Sequence, residues 1–138
     1  MITIKKQEIV KLENVLHLYQ AVGWTNYTNQ PEMLEQALSH SLAVYMALDG
    51  DAVVGLIRLI GDGFSSVFVQ DLIVLPTYQR QGIGSNLMKE ALADYNDAYQ
   101  VQLATEQTEK NLGFYRSLGF ETLSTYDCAG MIWVDREK

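Results

Sequence analysis

With 138 residues, 48 % of them hydrophobic and 20 % charged, the chain has the length and composition of one folded domain with a real core, and no signature of disorder. A net charge of −7 argues against a sequence-independent nucleic-acid binder, which needs a basic stripe to displace counterions from phosphates, and weakly favours cationic small molecules. The single cysteine, Cys128, allows no intrachain disulfide, and no apolar run approaches the roughly 20 residues that span a bilayer, so a cytoplasmic protein with no nucleic-acid and no membrane partner is expected.

In chain order, "ITI" reads as a short strand, and the opening "MITIKKQEIV" lacks the uninterrupted apolar stretch of a secretory signal. Ile9, Leu12, Leu16, Tyr19 and Val22 then recur at helical spacing up to a stop at Gly23. After the aromatic loop "WTNYTN", Pro31 suits a first helical position, and Met33, Leu34, Ala37 and Leu38 supply the apolar face of a second helix. "LAVYMALD" and "AVVGLIRLI" predict a hairpin across "GD", and "SVFVQDLIVL" a third strand beyond "GDG". A helix follows in the amphipathic run after the two glycines of "QRQGIG", then the strand "YQVQLAT", the helix "EKNLGFYRSL" stopped by Gly119, and two closing strands, "FETLSTY" and "GMIWV". With no repeat and no linker, this order implies a single α/β domain over 1–138 with a mixed sheet.

The seam "LIVLPTYQRQGIGSNLMKEAL", Leu72 to Leu92, carries the strongest chemical signal. A helix N-terminus leaves unpaired N–H groups and a partial positive charge, so a glycine-rich turn feeding a helix suits phosphate. Gly82 and Gly84 let backbone approach an anion closely, and Arg80 adds a fixed charge. A phosphate-binding P-loop would need Lys then Ser or Thr after the second glycine, where Ser85 and Asn86 stand. A dinucleotide fingerprint would need a third glycine where Leu87 stands. The alternative, that the glycines only make a tight turn, is open on spacing alone.

"QRQGIG", Gln79 to Gly84, resembles the Gln/Arg-x-x-Gly-x-Gly/Ala motif of the GNAT superfamily of acyl-CoA-dependent N-acetyltransferases, and "FYRSLGFE", Phe114 to Glu121, resembles its later Phe-Tyr-x-x-x-Gly-Phe signature. The resemblance covers nearly the whole chain. It implies a mixed, mostly antiparallel sheet of about 6–7 strands, flanked by about four helices and splayed between the fourth and fifth strands. It also implies acetyl-CoA as co-substrate, with the pyrophosphate on the N–H groups of Gln81, Gly82, Ile83, Gly84 and Ser85 and with Gln79 and Arg80 at the rim. Pantetheine would lie along Leu72, Ile73 and Val74, with Asn111 and Phe114 also on the cofactor side. Where the family often has an asparagine seven positions before the signature tyrosine, this chain has Thr108. Dimers are common in the family, which makes a homodimer an expectation.

The chemistry needs two proton movements. An alkyl ammonium of pKa about 10 must lose a proton before attacking a thioester. Asp71, beside the pantetheine strand, is the candidate to orient the amine or draw off that proton, with ordinary strand-end hydrogen bonding as the alternative. A free backbone N–H near Ile73 could hold the oxyanion. A phenol stays protonated at neutral pH and can protonate a departing thiolate, whose acid has a pKa about 8.5; Tyr115 fits, and the resemblance puts it where the family keeps its general acid. Trp24, Tyr27, Arg58 and Asp62 are candidates for an acceptor pocket, with packing or surface pairing as alternatives. Cys128 reads as a small core residue, His17 and His40 as surface or capping residues, and no metal site is expected. The function these readings imply is acetyl transfer from acetyl-CoA to a primary amine of a small molecule by direct attack in a ternary complex. A protein lysine or N-terminal acetyltransferase and a non-catalytic acyl-CoA-binding module are the alternatives.

Overall fold

A computed structural model describes residues 1–134. They divide into two compact units, Met1–Leu103 and Ala104–Lys138, the second described as far as Val134. Among the described residues no helix is long and apolar enough to cross a membrane.

The first unit contains strand β1 (Ile2–Gln7), helices α1 (Leu12–Ala21), α2 (Thr25–Thr28) and α3 (Pro31–Ser39), strands β2 (Ala43–Asp49), β3 (Ala52–Gly61) and β4 (Ser66–Val74), helix α4 (Ile83–Ala93) and strand β5 (Gln100–Leu103). The sheet order is β1-β2-β3-β4-β5; the first four strands pair antiparallel, and β5 joins β4 parallel. The parallel step requires a crossover, and α4 supplies it.

Both faces of the sheet are covered. Val15, Leu18 and Tyr19 of α1 and Leu34 and Leu38 of α3 form one buried cluster with Val44 and Met46 of β2, Leu56 of β3 and Ile73 of β4. Strand alternation sends Ala47 and Gly55 to the opposite face, where a Cβ built on Gly55 would meet Leu87 of α4 at 3.2 Å. Ile83, Leu87, Met88 and Ala91 are the buried stripe of α4, at helical spacing.

α1 closes with the backbone pattern of a Schellman motif: Gly23, at φ 71°, donates to Gln20, and Trp24 donates to Tyr19. The turn passes directly into the single-turn α2, where "WTNYTN" predicts an aromatic loop. Ile9, the expected first apolar position of α1, lies outside the helix and is exposed.

The second unit holds α5 (Glu109–Ser117) and a 3₁₀ turn over Leu123–Tyr126. Thr108 caps α5, its hydroxyl accepting from the Asn111 N–H at 3.1 Å. Here the expectation of 6–7 strands is corrected: the described sheet has five strands. "FETLSTY" holds the 3₁₀ turn instead, and "GMIWV" is not a strand in the described chain. The described helices number five, because α2 adds a short one to the four expected.

Candidate active site

The decisive feature of the first unit is a break in β4. Leu59 pairs with Val69 and Arg58 with Asp71, so Gln70 is an extra residue without an opposite number, a β-bulge. β5 pairs only with Ser66–Val69 and goes no further. The bulge and the end of the β4–β5 ladder therefore coincide, and from Asp71 to Val74 the strand is paired on its β3 side alone. This is the splay between the fourth and fifth strands. Leu72, Ile73 and Val74 lie on the unpaired stretch; Ile73 is buried, and its neighbours are half-buried.

Beyond Val74 the chain makes a 3₁₀ turn, Pro76–Tyr78, and enters the glycine loop. The Tyr78 hydroxyl donates to Asp49 at 2.6 Å, and the Gln79 amide donates to the Val74 carbonyl at 3.1 Å, so the loop is tied to the ends of two strands. Arg80 (φ 66°) and Gly82 (φ 78°) both adopt left-handed backbone. Gly82 does so freely as the N-cap of α4, whereas Arg80 bears a cost of about 1–2 kcal/mol. Gly84 lies inside α4 with ordinary φ, so the turn rests on Gly82. The first helical bond runs from the Asn86 N–H to the Gly82 carbonyl at 3.0 Å. Among the described residues no backbone carbonyl accepts from the N–H groups of Gln81, Gly82, Ile83, Gly84 or Ser85. Five donors, a helix terminus and an exposed Arg80 thus gather at one turn.

Just before that stretch lies a buried polar network. Asp71 accepts from Arg58 Nε at 2.7 Å, from the Tyr19 hydroxyl at 2.8 Å and from the Tyr27 hydroxyl at 3.0 Å. Asp71 and Arg58 are 2 % and 4 % exposed. Arg58 also reaches the Ala37 carbonyl, the Ser41 hydroxyl and the Tyr27 oxygen, which accepts a further bond from the Gln70 amide at 3.3 Å. Burial first and the Asp71 carboxylate second push the Tyr19 and Tyr27 hydroxyls above their ordinary value near 10, so both stay protonated. The rings of Tyr19, Trp24 and Tyr27 pack at centroid distances of 5.1–6.2 Å. The Asp71 carboxylate is thus held by one guanidinium and two phenol hydroxyls in the interior.

The structure brings Asp71, Arg58, Tyr27 and Trp24 together and leaves Asp62 apart. Asp62 accepts from the N–H groups of Phe64, Ser65 and Ser66 and from the Ser65 hydroxyl, closing the β3–β4 turn. Those bonds, the Ser65 hydroxyl foremost, hold its carboxyl below the usual carboxylate range. In the second unit, Tyr115 stands edge-on to Phe114 at 5.0 Å and to Phe120 at 6.1 Å, and burial raises its hydroxyl above 10. The Asn111 amide is 3.4 Å from the Glu106 carbonyl. His17 bonds the Val53 carbonyl, His40 the Gln36 carbonyl, and Cys128 is exposed rather than in a core. Among the described residues no group of three or more His, Cys, Asp or Glu is placed to hold a metal.

The profile of the acetyltransferase (GNAT) domain matches residues 40–122, from just before β2 through α5 and its closing turn. The chain belongs to the GNAT acetyltransferase family. A GNAT-family acetyltransferase structure from Streptococcus pneumoniae TIGR4 is 82 % identical and superposes with a TM-score of 0.93, covering 99 % of this chain and 100 % of that one. Serotonin N-acetyltransferase 2 of Oryza sativa is 33 % identical over 95 residues, and GCN5-related N-acetyltransferase 1 of Arabidopsis thaliana 27 % over 135. These matches cover 66 % and 95 % of this chain but only 48 % and 66 % of the two relatives, so the chain spans about half to two thirds of their length.

Within this GNAT chain the sequence reading missed Tyr19 and Gln70. Helical spacing shows Tyr19 only as one apolar position of an amphipathic helix; its buried hydroxyl donates to Asp71, a role that spacing does not reveal. Gln70, one polar residue in an apolar strand, was the available signal for the bulge.

Proposed function

We propose that this GNAT protein transfers an acetyl group from acetyl-CoA to a primary amine of a small molecule by direct attack in a ternary complex. The observation that carries this reading is the coincidence, on β4, of the Gln70 bulge with the end of β5 pairing, immediately ahead of a turn rich in free N–H donors. A strand with one open edge can pair with an amide-bearing arm, and the turn suits a pyrophosphate. Acetyl-CoA, when bound, supplies the activated acyl group and a thiol leaving group. Gln81 to Ser85 and Arg80 bind the phosphates, Leu72 to Val74 line the arm, and Gln79 braces the loop against Val74. Asn111 and Phe114 complete the cofactor side.

Tyr115 donates the proton that the thiolate needs. Trp24 and Tyr27 border the acceptor, where aromatic faces favour a cationic amine. Asp71 and Arg58 act through Tyr27 by fixing its hydroxyl, and Asp62 is a turn residue outside the pocket. The amine's proton leaves through solvent, because Asp71 is committed. Likeness to the rice serotonin enzyme supports a small amine as acceptor. Residues 1–138 are read as one catalytic domain.

The test is thiol release from acetyl-CoA across polyamines, aralkylamines, amino acids, aminoglycosides and short peptides, for wild type and Tyr115→Phe. At least one small amine is expected to turn over, and Tyr115→Phe to lower kcat by about 10²–10⁴-fold with CoA affinity unchanged. Turnover with peptides alone would transfer the reading to protein acetylation. CoA binding without release from any acceptor would make the protein a binding module.

A further inference from the structure

The glycine turn is held by more than its own backbone. Val54, the extra residue of a bulge in β3 opposite β2, accepts from the Leu75 N–H at 2.9 Å, and the Gln79 amide reaches the Val74 carbonyl. These two bonds fix the approach from the end of β4. The Tyr78 hydroxyl, donating to Asp49 at 2.6 Å, ties the same approach to a different place, the tip of the β2–β3 hairpin, where Asp49 ends β2 just ahead of Gly50 at φ 62°. Two residues past Tyr78 stands Arg80 at φ 66°, a conformation that a residue other than glycine keeps only where its surroundings over-determine it. Asp49 also has the wrong charge for its place. A carboxylate near a turn of free N–H groups opposes any anion bound there, so attraction to a ligand does not explain it. Its other oxygen lies 3.9 Å from the Met1 ammonium, an exposed pair that contributes little.

We propose, on the reading of Gln81 to Ser85 as the phosphate site, that Tyr78 and Asp49 are positioning residues for the pyrophosphate of CoA. Their bond keeps the turn in the conformation that gathers its N–H groups, and without it only a fraction of the molecules is competent to bind. Apparent affinity then falls in proportion to that fraction, although no group that meets the phosphates has been altered. The β2–β3 hairpin thus acts on the cofactor through Tyr78.

The experiment is calorimetric titration of CoA into wild type, Tyr78→Phe, Asp49→Ala, Asp49→Asn and the double variant Tyr78→Phe with Asp49→Ala, with thermal unfolding of each as the control for folding. Both side chains are only partly buried and lie outside the core cluster, so the variants are expected to fold. Tyr78→Phe and Asp49→Ala are each expected to bind about 10-fold more weakly than wild type, the size of one hydrogen bond to a charged group. The double variant should be no weaker than either, because one bond is lost only once. Asp49→Asn keeps an acceptor oxygen for Tyr78 and should restore binding to within about twofold of wild type. Were Asp49 felt only as a charge, Asp49→Ala and Asp49→Asn would both tighten binding. That result, unchanged affinity in Tyr78→Phe, or a loss of about 100-fold in the double variant would each overturn the proposal. A wild type that does not bind CoA would remove the phosphate-site reading and this inference with it.

Discussion

Arg58 and Asp71 place two full charges in the interior, opposite one another in the β3–β4 ladder. Such a pair gains little over an apolar pair of the same shape, but removing one partner strands the other, at about 3–5 kcal/mol. Arg58→Met is therefore expected to lower the urea midpoint by that order. Adding Asp71→Asn should recover part of the loss, because it removes the uncompensated charge while its one amide oxygen keeps one of the two tyrosine bonds, which end on different carboxylate oxygens. A double-mutant cycle is expected to give a coupling of about 1–3 kcal/mol, and strict additivity would show that the pair is not energetically linked. None of this was legible in the sequence. Arg58 and Asp71 were singled out as isolated chemical candidates, and only the register, shifted by one residue, sets them opposite each other.

At the scale of elements the reading succeeded where the signal is local and failed where a partner decides. Helices α1, α3, α4 and α5 and strands β1–β5 follow from spacing, from Pro31 and from the glycine stops. "FETLSTY" and "GMIWV" have strand composition but no strand in the described chain, because composition reports a preference for a pleated neighbour and cannot supply one. The glycine loop was legible as a motif, but its division of labour was not: Gly82 carries the left-handed turn, and Gly84 sits in regular helix. No heavy atom lies within 4 Å of a Cβ built on Gly82, so Gly82→Val is strained by its φ rather than by crowding. We expect it to cost about 1–2 kcal/mol of stability and to abolish CoA binding in the fraction that folds. Calorimetry showing unchanged CoA affinity would remove the loop from the binding site.

At the scale of the whole molecule, buried Tyr19 and half-buried Tyr27 set an alkaline limit. Tyr19 and Tyr27 have hydroxyls raised above 10 by burial and by Asp71. A raised folded value means a contribution that is complete below the unfolded value, near 10, and is lost as pH climbs toward the folded one. Between about pH 10 and 11 the unfolded state releases protons that the native state keeps, and stability should fall by about 1.4 kcal/mol per pH unit for each fully protected tyrosine. Urea midpoints followed from pH 8 upward are expected to drop more steeply for wild type than for Tyr19→Phe; parallel curves would show that Tyr19 titrates freely. The family was legible across most of the chain from two motifs. Gln70 shows how separately fold and site are specified. Val67, Val69, Asp71 and Ile73 alternate without interruption in the text of the sequence, yet the bulge sends Val69 to the α4 side of the sheet and Asp71 to the α1 and α3 side. Strike out Gln70 and every remaining β3–β4 pair keeps both its partner and its face. Of the nine residues of β4, eight spell the sheet, and the ninth, redundant to the fold, is free to spell the gap in which the chemistry is proposed to occur.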